Sequence, residues 1–126
     1  MSKMKKELSK TEWSLMNICW KKGKATARDI YDASLKEKKR GYQSVKTMLD
    51  RLVGKGFLQR EKFGPLWIYE PAVTRASIRS TAIENFVDTV LERSFAPLLV
   101  HFASRNDMKA DEIEALKKLN HQHSKE

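Results

Sequence analysis

The period of the apolar residues changes at Gly56, and that change limits the fold more than any other feature of the chain. Before it, apolar side chains recur at helical spacing in three short runs. After it, aromatic and β-branched residues flank a Gly64-Pro65 pair, the signature of a hairpin. Pro71 then closes the second strand.

The three runs carry their own boundaries. In the first, Ser9 can cap a helix, Glu12 can complete a capping box, and Leu8 can staple onto Trp13. That helix runs to about Lys21, with Trp13, Met16 and Trp20 on one face, and Gly23 stops it. Thr26, followed by Asp29, caps a second helix with Ile30, Ala33 and Leu35 on its apolar side. The charged run Lys36 to Gly41 reads as a solvated loop. A third helix spans roughly Tyr42 to Lys55, with Val45, Met48, Leu49 and Leu52 toward the core. Three short helices and then a hairpin is the order of a winged helix-turn-helix, in a chain that is mainly α with a small β-hairpin wing.

Charge divides the chain at the same place as pattern. The net charge is +9, and residues 1–72 hold 17 Lys and Arg against 8 Asp and Glu. Residues 73–126 hold 8 of each and are neutral. A basic front half calls for a polyanionic partner, and nucleic acid fits, because each phosphate contact releases counterions and favours Lys and Arg. The expected division is therefore a winged helix-turn-helix over 1–72 and a helical dimerisation region over 73–126.

The third helix carries the sharpest expectation. In helix-turn-helix proteins the N-terminal residues of this helix reach base edges in the major groove. Here those are Gln43, Ser44, Lys46 and Thr47. Gln suits adenine, Lys suits guanine acceptors, and the Thr methyl suits thymine. Arg51, a turn later, suits a phosphate, as do Tyr42, Arg28, Lys62 near the hairpin tip and Thr26 at a helix start. A winged helix serving as a protein-interaction module remains the alternative, but it would present an apolar outer face on this helix.

The last 54 residues are too few for a comfortable core of their own, yet they carry wide apolar stripes. Ile78, Ala82, Phe86 and Val90 lie four apart, with Leu91 beside them. Ser94 to Pro97 opens another helix bearing Leu98, Leu99 and Phe102, and a last helix near Asp111 to Asn120 carries Ile113, Leu116 and Leu119. These stripes need a partner, and a second copy is expected, since symmetric dimers are the commonest oligomers.

Several classes are excluded by what the sequence lacks. There is no Gly-rich phosphate loop, no nucleophile elbow and no metal-binding helix motif, so no enzyme, cofactor or metal site is expected. His101 stands in an apolar helix, and His121 and His123 belong to a solvated end. The single Cys19 reads as a small buried hydrophobe. No apolar run of membrane-spanning length and no signal-type segment occurs, so a cytoplasmic protein with no membrane partner is expected.

Three blocks resemble a known family: Ser9-x-x-Glu12-Trp13-x-x-Met16-x-x-x-Trp20, then Val45-Lys46-Thr47-Met48-Leu49-x-Arg51-Leu52-x-x-Lys55-Gly56, then Tyr69-Glu70-Pro71. They are similar to the penicillinase and methicillin-resistance repressors, from about Leu8 to Leu119. The resemblance implies a homodimer that binds a palindromic double-stranded DNA operator and blocks transcription of genes such as those of β-lactam resistance. It also implies induction by a sensor protease that cuts the dimerisation part at a bond corresponding to His101-Phe102. Well-known members have Asn where this chain has His101, so a regulator with a non-proteolytic inducer is the alternative. The paired C-terminal cysteines of copper-responsive members are absent. Gly41-Tyr42-Gln43 replaces a Ser-Pro-Lys-type helix entry, and Lys109 stands where a Ser cap is usual, leaving Asp107 as a substitute.

Overall fold

The computed structural model describes residues 7–105 and 109–124. The cap expected at Asp107 and the side chains of His121 and His123 lie outside the described residues. The elements are α1 (Lys10–Lys22), β1 (Ala25–Thr26), α2 (Ala27–Ser34), α3 (Tyr42–Lys55), β2 (Leu58–Phe63), β3 (Leu66–Pro71), α4 (Arg75–Thr89), α5 (Ala96–Arg105) and α6 (Ala110–Ser124). The chain divides into two compact units between Arg79 and Ser80.

The front unit forms because local signals and core burial agree. Ser9 Oγ accepts the Glu12 N–H while Glu12 accepts the Ser9 N–H, a complete capping box at the start of α1. Thr26 and Asp29 repeat the device at α2. Gly23 ends α1 at φ 82° and Gly56 ends α3 at φ 90°, conformations that a side chain resists. At the end of α3 the Phe57 and Gly56 N–H groups return to the Leu52 and Val53 carbonyls, the two bonds of a Schellman cap. The core is then one cluster: Leu15, Met16, Ile30, Val45, Leu49 and Leu52 are fully buried, with Leu58 and Tyr69 seating the hairpin on the helices.

The sheet has the order β1-β3-β2, with both pairings antiparallel. Gly64, at φ 62°, and Pro65 form the two-residue connection, so Phe63 faces Leu66, Lys62 faces Trp67 and Arg60 faces Tyr69. Strand β1 was not expected from the sequence. It is two residues long, too short to show a period, and exists only through its pairing with Tyr69 and Ile68. The Trp20 indole N–H donates to the Val73 carbonyl at 2.9 Å, which fastens the segment after the wing to α1. Ile78, expected on the dimerisation stripe, packs against this front core.

The second unit consists of the rest of α4 together with α5 and α6. Leu91 is buried there. Glu92 and Arg93 follow α4 at φ 50° and 67°, so a pair of non-glycine residues makes a turn that glycine usually makes. Helices α5 and α6 pack on each other. At the start of α6 the Lys109 N–H donates to Glu112, which supplies half of a capping box without a Ser. Among the described residues no helix is long and apolar enough to cross a membrane.

Candidate nucleic-acid interface

Helix α3 is built with two faces. Val45, Leu49 and Leu52, at helical spacing, point into the core with no exposed surface. The same spacing leaves Gln43, Ser44, Thr47 and Arg51 exposed. The outer face is therefore polar and cationic, and the apolar face that a protein-docking helix would present is absent from it. Its 14 residues span roughly 21 Å at 1.5 Å per residue, long enough to lie in a major groove.

The four residues expected to read bases do not stand alike. Gln43, Ser44 and Thr47 are free at the surface, whereas Lys46 is engaged. Its ammonium donates to Asp50 Oδ2 at 2.9 Å, one turn further along α3. Asp50 also accepts from the Tyr69 hydroxyl at 2.6 Å and from Arg60 at 2.7 Å, both on Oδ1. One carboxylate thus joins α3 to both strands of the wing. Burial works against its charge, but the hydrogen bonds from Tyr69 and Lys46 outweigh it and hold the carboxyl below its ordinary value. Burial and the bond to Asp50 raise the Tyr69 phenol, and the same carboxylate holds the Lys46 ammonium above its usual range.

The residues expected at the backbone of the nucleic acid surround this helix. Arg28, at the first turn of α2, lies 4.5 Å from the Tyr42 ring centroid and 5.3 Å from that of Tyr31. The guanidinium is thereby held over the entry to α3 by cation–π attraction. Thr26 is the N-cap of α2, and its hydroxyl oxygen accepts the Asp29 N–H. Lys62 sits 5.7 Å from the Trp67 ring centroid near the wing tip. Between them lies a groove of about 510 Å³, walled by Thr26 and Arg28 of the α2 start, Tyr42 and Lys46 of α3, and Leu66 and Trp67 of the wing. Arg51 lies on α3 one turn beyond Thr47, exposed.

Asp50, Arg60 and Trp67 have no role assigned from the sequence, and Tyr69 figures there only within the closing block of the wing. The i, i+4 spacing of Lys46 and Asp50 was a readable signal. A two-residue turn at Gly64-Pro65 also fixes Arg60 opposite Tyr69, and from that register their convergence could have been foreseen.

The residues expected to pair two copies lie mostly in the second unit. Phe86 and Val90 are 43% and 62% exposed on the single chain, and Ile83 beside them is 55% exposed. Leu119 is also exposed, while Ala82, Leu98, Leu99, Phe102, Ile113 and Leu116 are half-buried. His101 is exposed on α5, with its ring edge against Phe102 at 5.1 Å between centroids. The His101 carbonyl, at the bond between them, accepts the Ser104 hydroxyl at 2.8 Å.

Residues 8–122 match the profile of the family described as penicillinase repressor. The methicillin resistance regulatory protein MecI of Staphylococcus aureus strain N315 is 32% identical over 113 residues, which cover 90% of this chain and 92% of that one. A penicillinase repressor of Staphylococcus aureus is 26% identical over 117 residues, 93% of each chain. Among solved structures, the DNA binding domain of the repressor BlaI aligns with a TM-score of 0.52 and 28% identity, over 58% of this chain and 92% of that one. These matches are to repressors, not enzymes. On the strength of a profile match that runs almost end to end, the chain belongs to the penicillinase repressor family.

Proposed function

We propose that the chain represses transcription by binding a palindromic DNA operator as a homodimer. The observation that carries this reading is the two-faced α3, fully buried at Val45, Leu49 and Leu52 and polar at Gln43, Ser44, Thr47 and Arg51, beside a wing that carries Arg60 and Lys62. The division of charge supports it, since all of the +9 belongs to residues 1–72. Family membership supports it as well, because the relatives matched are named as repressors or resistance regulators.

In this reading Gln43, Ser44, Lys46 and Thr47 read base edges. Arg51, Lys62, Arg28, Tyr42 and the α2 start at Thr26 hold phosphates. Residues 73–126 join two copies through the apolar side chains of α4, α5 and α6. A single winged helix makes few base contacts. Two heads held one helical turn apart combine their binding energies through effective concentration. Repression follows because the bound dimer occludes the promoter, and loss of pairing weakens binding without touching the DNA surface.

One observation favours an inducer other than a protease. The bond that corresponds to the cleaved one follows His101, where well-known members of the family carry Asn. Either signal would act on the same region.

The test is selection of duplexes from a random pool, followed by sedimentation of the chain with the recovered sequence. A palindrome bound by two chains is the expected result. Inserting half a helical turn between its halves should abolish tight binding. Recovery of no common sequence, or one chain bound to a single half-site with undiminished affinity, would overturn the proposal.

A further inference from the structure

Asp50 collects three donors on one carboxylate: Lys46 of α3, Arg60 of β2 and Tyr69 of β3. Two of the three are cations, and both lie where a nucleic acid would approach if α3 and the wing form the interface. The site is open to water, since the Asp50, Lys46 and Arg60 side chains are each one-quarter to one-third exposed. An ion pair of that exposure exchanges readily and is worth little by itself. Arg60 is further held 4.6 Å from the Trp67 ring centroid, so its guanidinium is braced from both sides.

We infer that Asp50 is a specificity-determining residue, an internal competitor of DNA phosphate for Lys46 and Arg60. This inference rests on the DNA-binding reading above. A non-cognate duplex brings phosphates to Lys46 but no matching base-edge acceptor such as guanine O6 and N7, and phosphates are solvated anions like Asp50 itself, so the exchange brings no gain. A cognate duplex places the matching acceptor within reach of Lys46, and that contact draws it away from the carboxylate. Asp50 thereby withholds a cation from random sequence and releases it to the operator. The Tyr69 hydroxyl, also bound to Asp50, keeps the carboxylate in place after Lys46 has left. A carboxylate acting solely as a brace between α3 and the wing would instead support every sequence alike.

The experiment compares the full-length protein with Asp50→Asn and Lys46→Met. Each is titrated with the recovered operator duplex and with a random-sequence duplex at several salt concentrations, and melting temperature is recorded beside them. Asp50→Asn should bind random duplex several-fold to about tenfold more tightly at low salt, with a salt slope steeper by about one. The ratio of operator to random affinity should fall by about tenfold, one good base contact's worth of discrimination. Lys46→Met tests the same point without touching the brace. It should lose about tenfold on the operator and much less on random duplex, so that the ratio of the two affinities falls several-fold.

Equal weakening of both duplexes by Asp50→Asn, with a lowered melting temperature, would reduce Asp50 to a brace and overturn the inference. So would equal loss on both duplexes in Lys46→Met. If the unmodified protein failed to distinguish operator from random duplex, the DNA-binding reading itself would fall. That result is separable, because it appears before any variant is made.

Discussion

Lys55 donates to Glu12 Oε2 at 2.8 Å and so ties the last turn of α3 to the first turn of α1, 43 residues away. Glu12 is buried, and the same carboxylate closes the capping box with Ser9. Burial disfavours its charge, yet the hydrogen bonds from Lys55 and the Ser9 backbone prevail and hold its carboxyl below the ordinary value of 4.5. Glu12→Gln keeps the shape but removes the charge. It should destabilise the front unit by about 1–2 kcal/mol at neutral pH, the range for a charged hydrogen bond with one partly exposed partner. Denaturant unfolding followed by tryptophan fluorescence measures this.

The same pair gives a pH dependence with a definite sign. Because the folded-state value lies below 4.5, the contribution of Glu12 is present in full above that pH. It is lost as pH falls through the folded value. The stability of the native protein should therefore decline more steeply below pH 4.5 than that of Glu12→Gln. Parallel curves for the two proteins would show that Glu12 is not the titrating group.

Cys19 is sealed within α1, and burial pushes its thiol up to about 12. The thiolate is the reactive form, so the native protein should resist alkylation at pH 8 and react only when unfolded. Mass spectrometry after iodoacetamide, with and without denaturant, checks this. Rapid labelling of the native chain would contradict the packing described for α1.

These features differ in how far the sequence disclosed them. Capping at Ser9 and Thr26 was legible because each box joins residues three apart, and the stops at Gly23 and Gly56 were legible because only glycine suits those turns. The buried face of α3 followed from spacing alone. By contrast, β1 is made by a partner far along the chain that no local pattern announces, and the Asp50 cluster emerges only when the i, i+4 spacing of Lys46 and Asp50 is combined with the hairpin register. The turn at Glu92 and Arg93 gave no signal either, since neither residue type marks a left-handed turn.

Within the proposed interface, exposure separates two kinds of residue. Gln43 and Thr47 lie free on the outer face at the start of α3, and Arg51 lies a turn beyond. Gln43→Ala and Thr47→Ala should each relax base preference at one operator position, by about 1–3 kcal/mol of discrimination. Arg51→Ala should weaken all duplexes alike and lower the salt slope by about one. Binding to a panel of single-base operator variants distinguishes these outcomes.

Pairing of two copies would cover the apolar side chains left open on α4. Phe86→Glu, or Val90→Glu, should turn the dimer into a monomer at micromolar concentration, because each would bury a charge in the proposed interface. The front unit should keep its melting behaviour, since neither residue belongs to its core. Sedimentation velocity with circular dichroism reads both effects. A native monomer at the same concentration would remove the basis for a two-headed reader.

The ratio of operator to random-sequence affinity, measured by competition at about 0.15 M salt, separates sequence reading from mere attraction of charge. A repressor of this kind should prefer a palindromic duplex by at least about a thousandfold. A ratio near one, with binding that merely weakens as salt rises, would mean that the basic front half attracts nucleic acid without reading it.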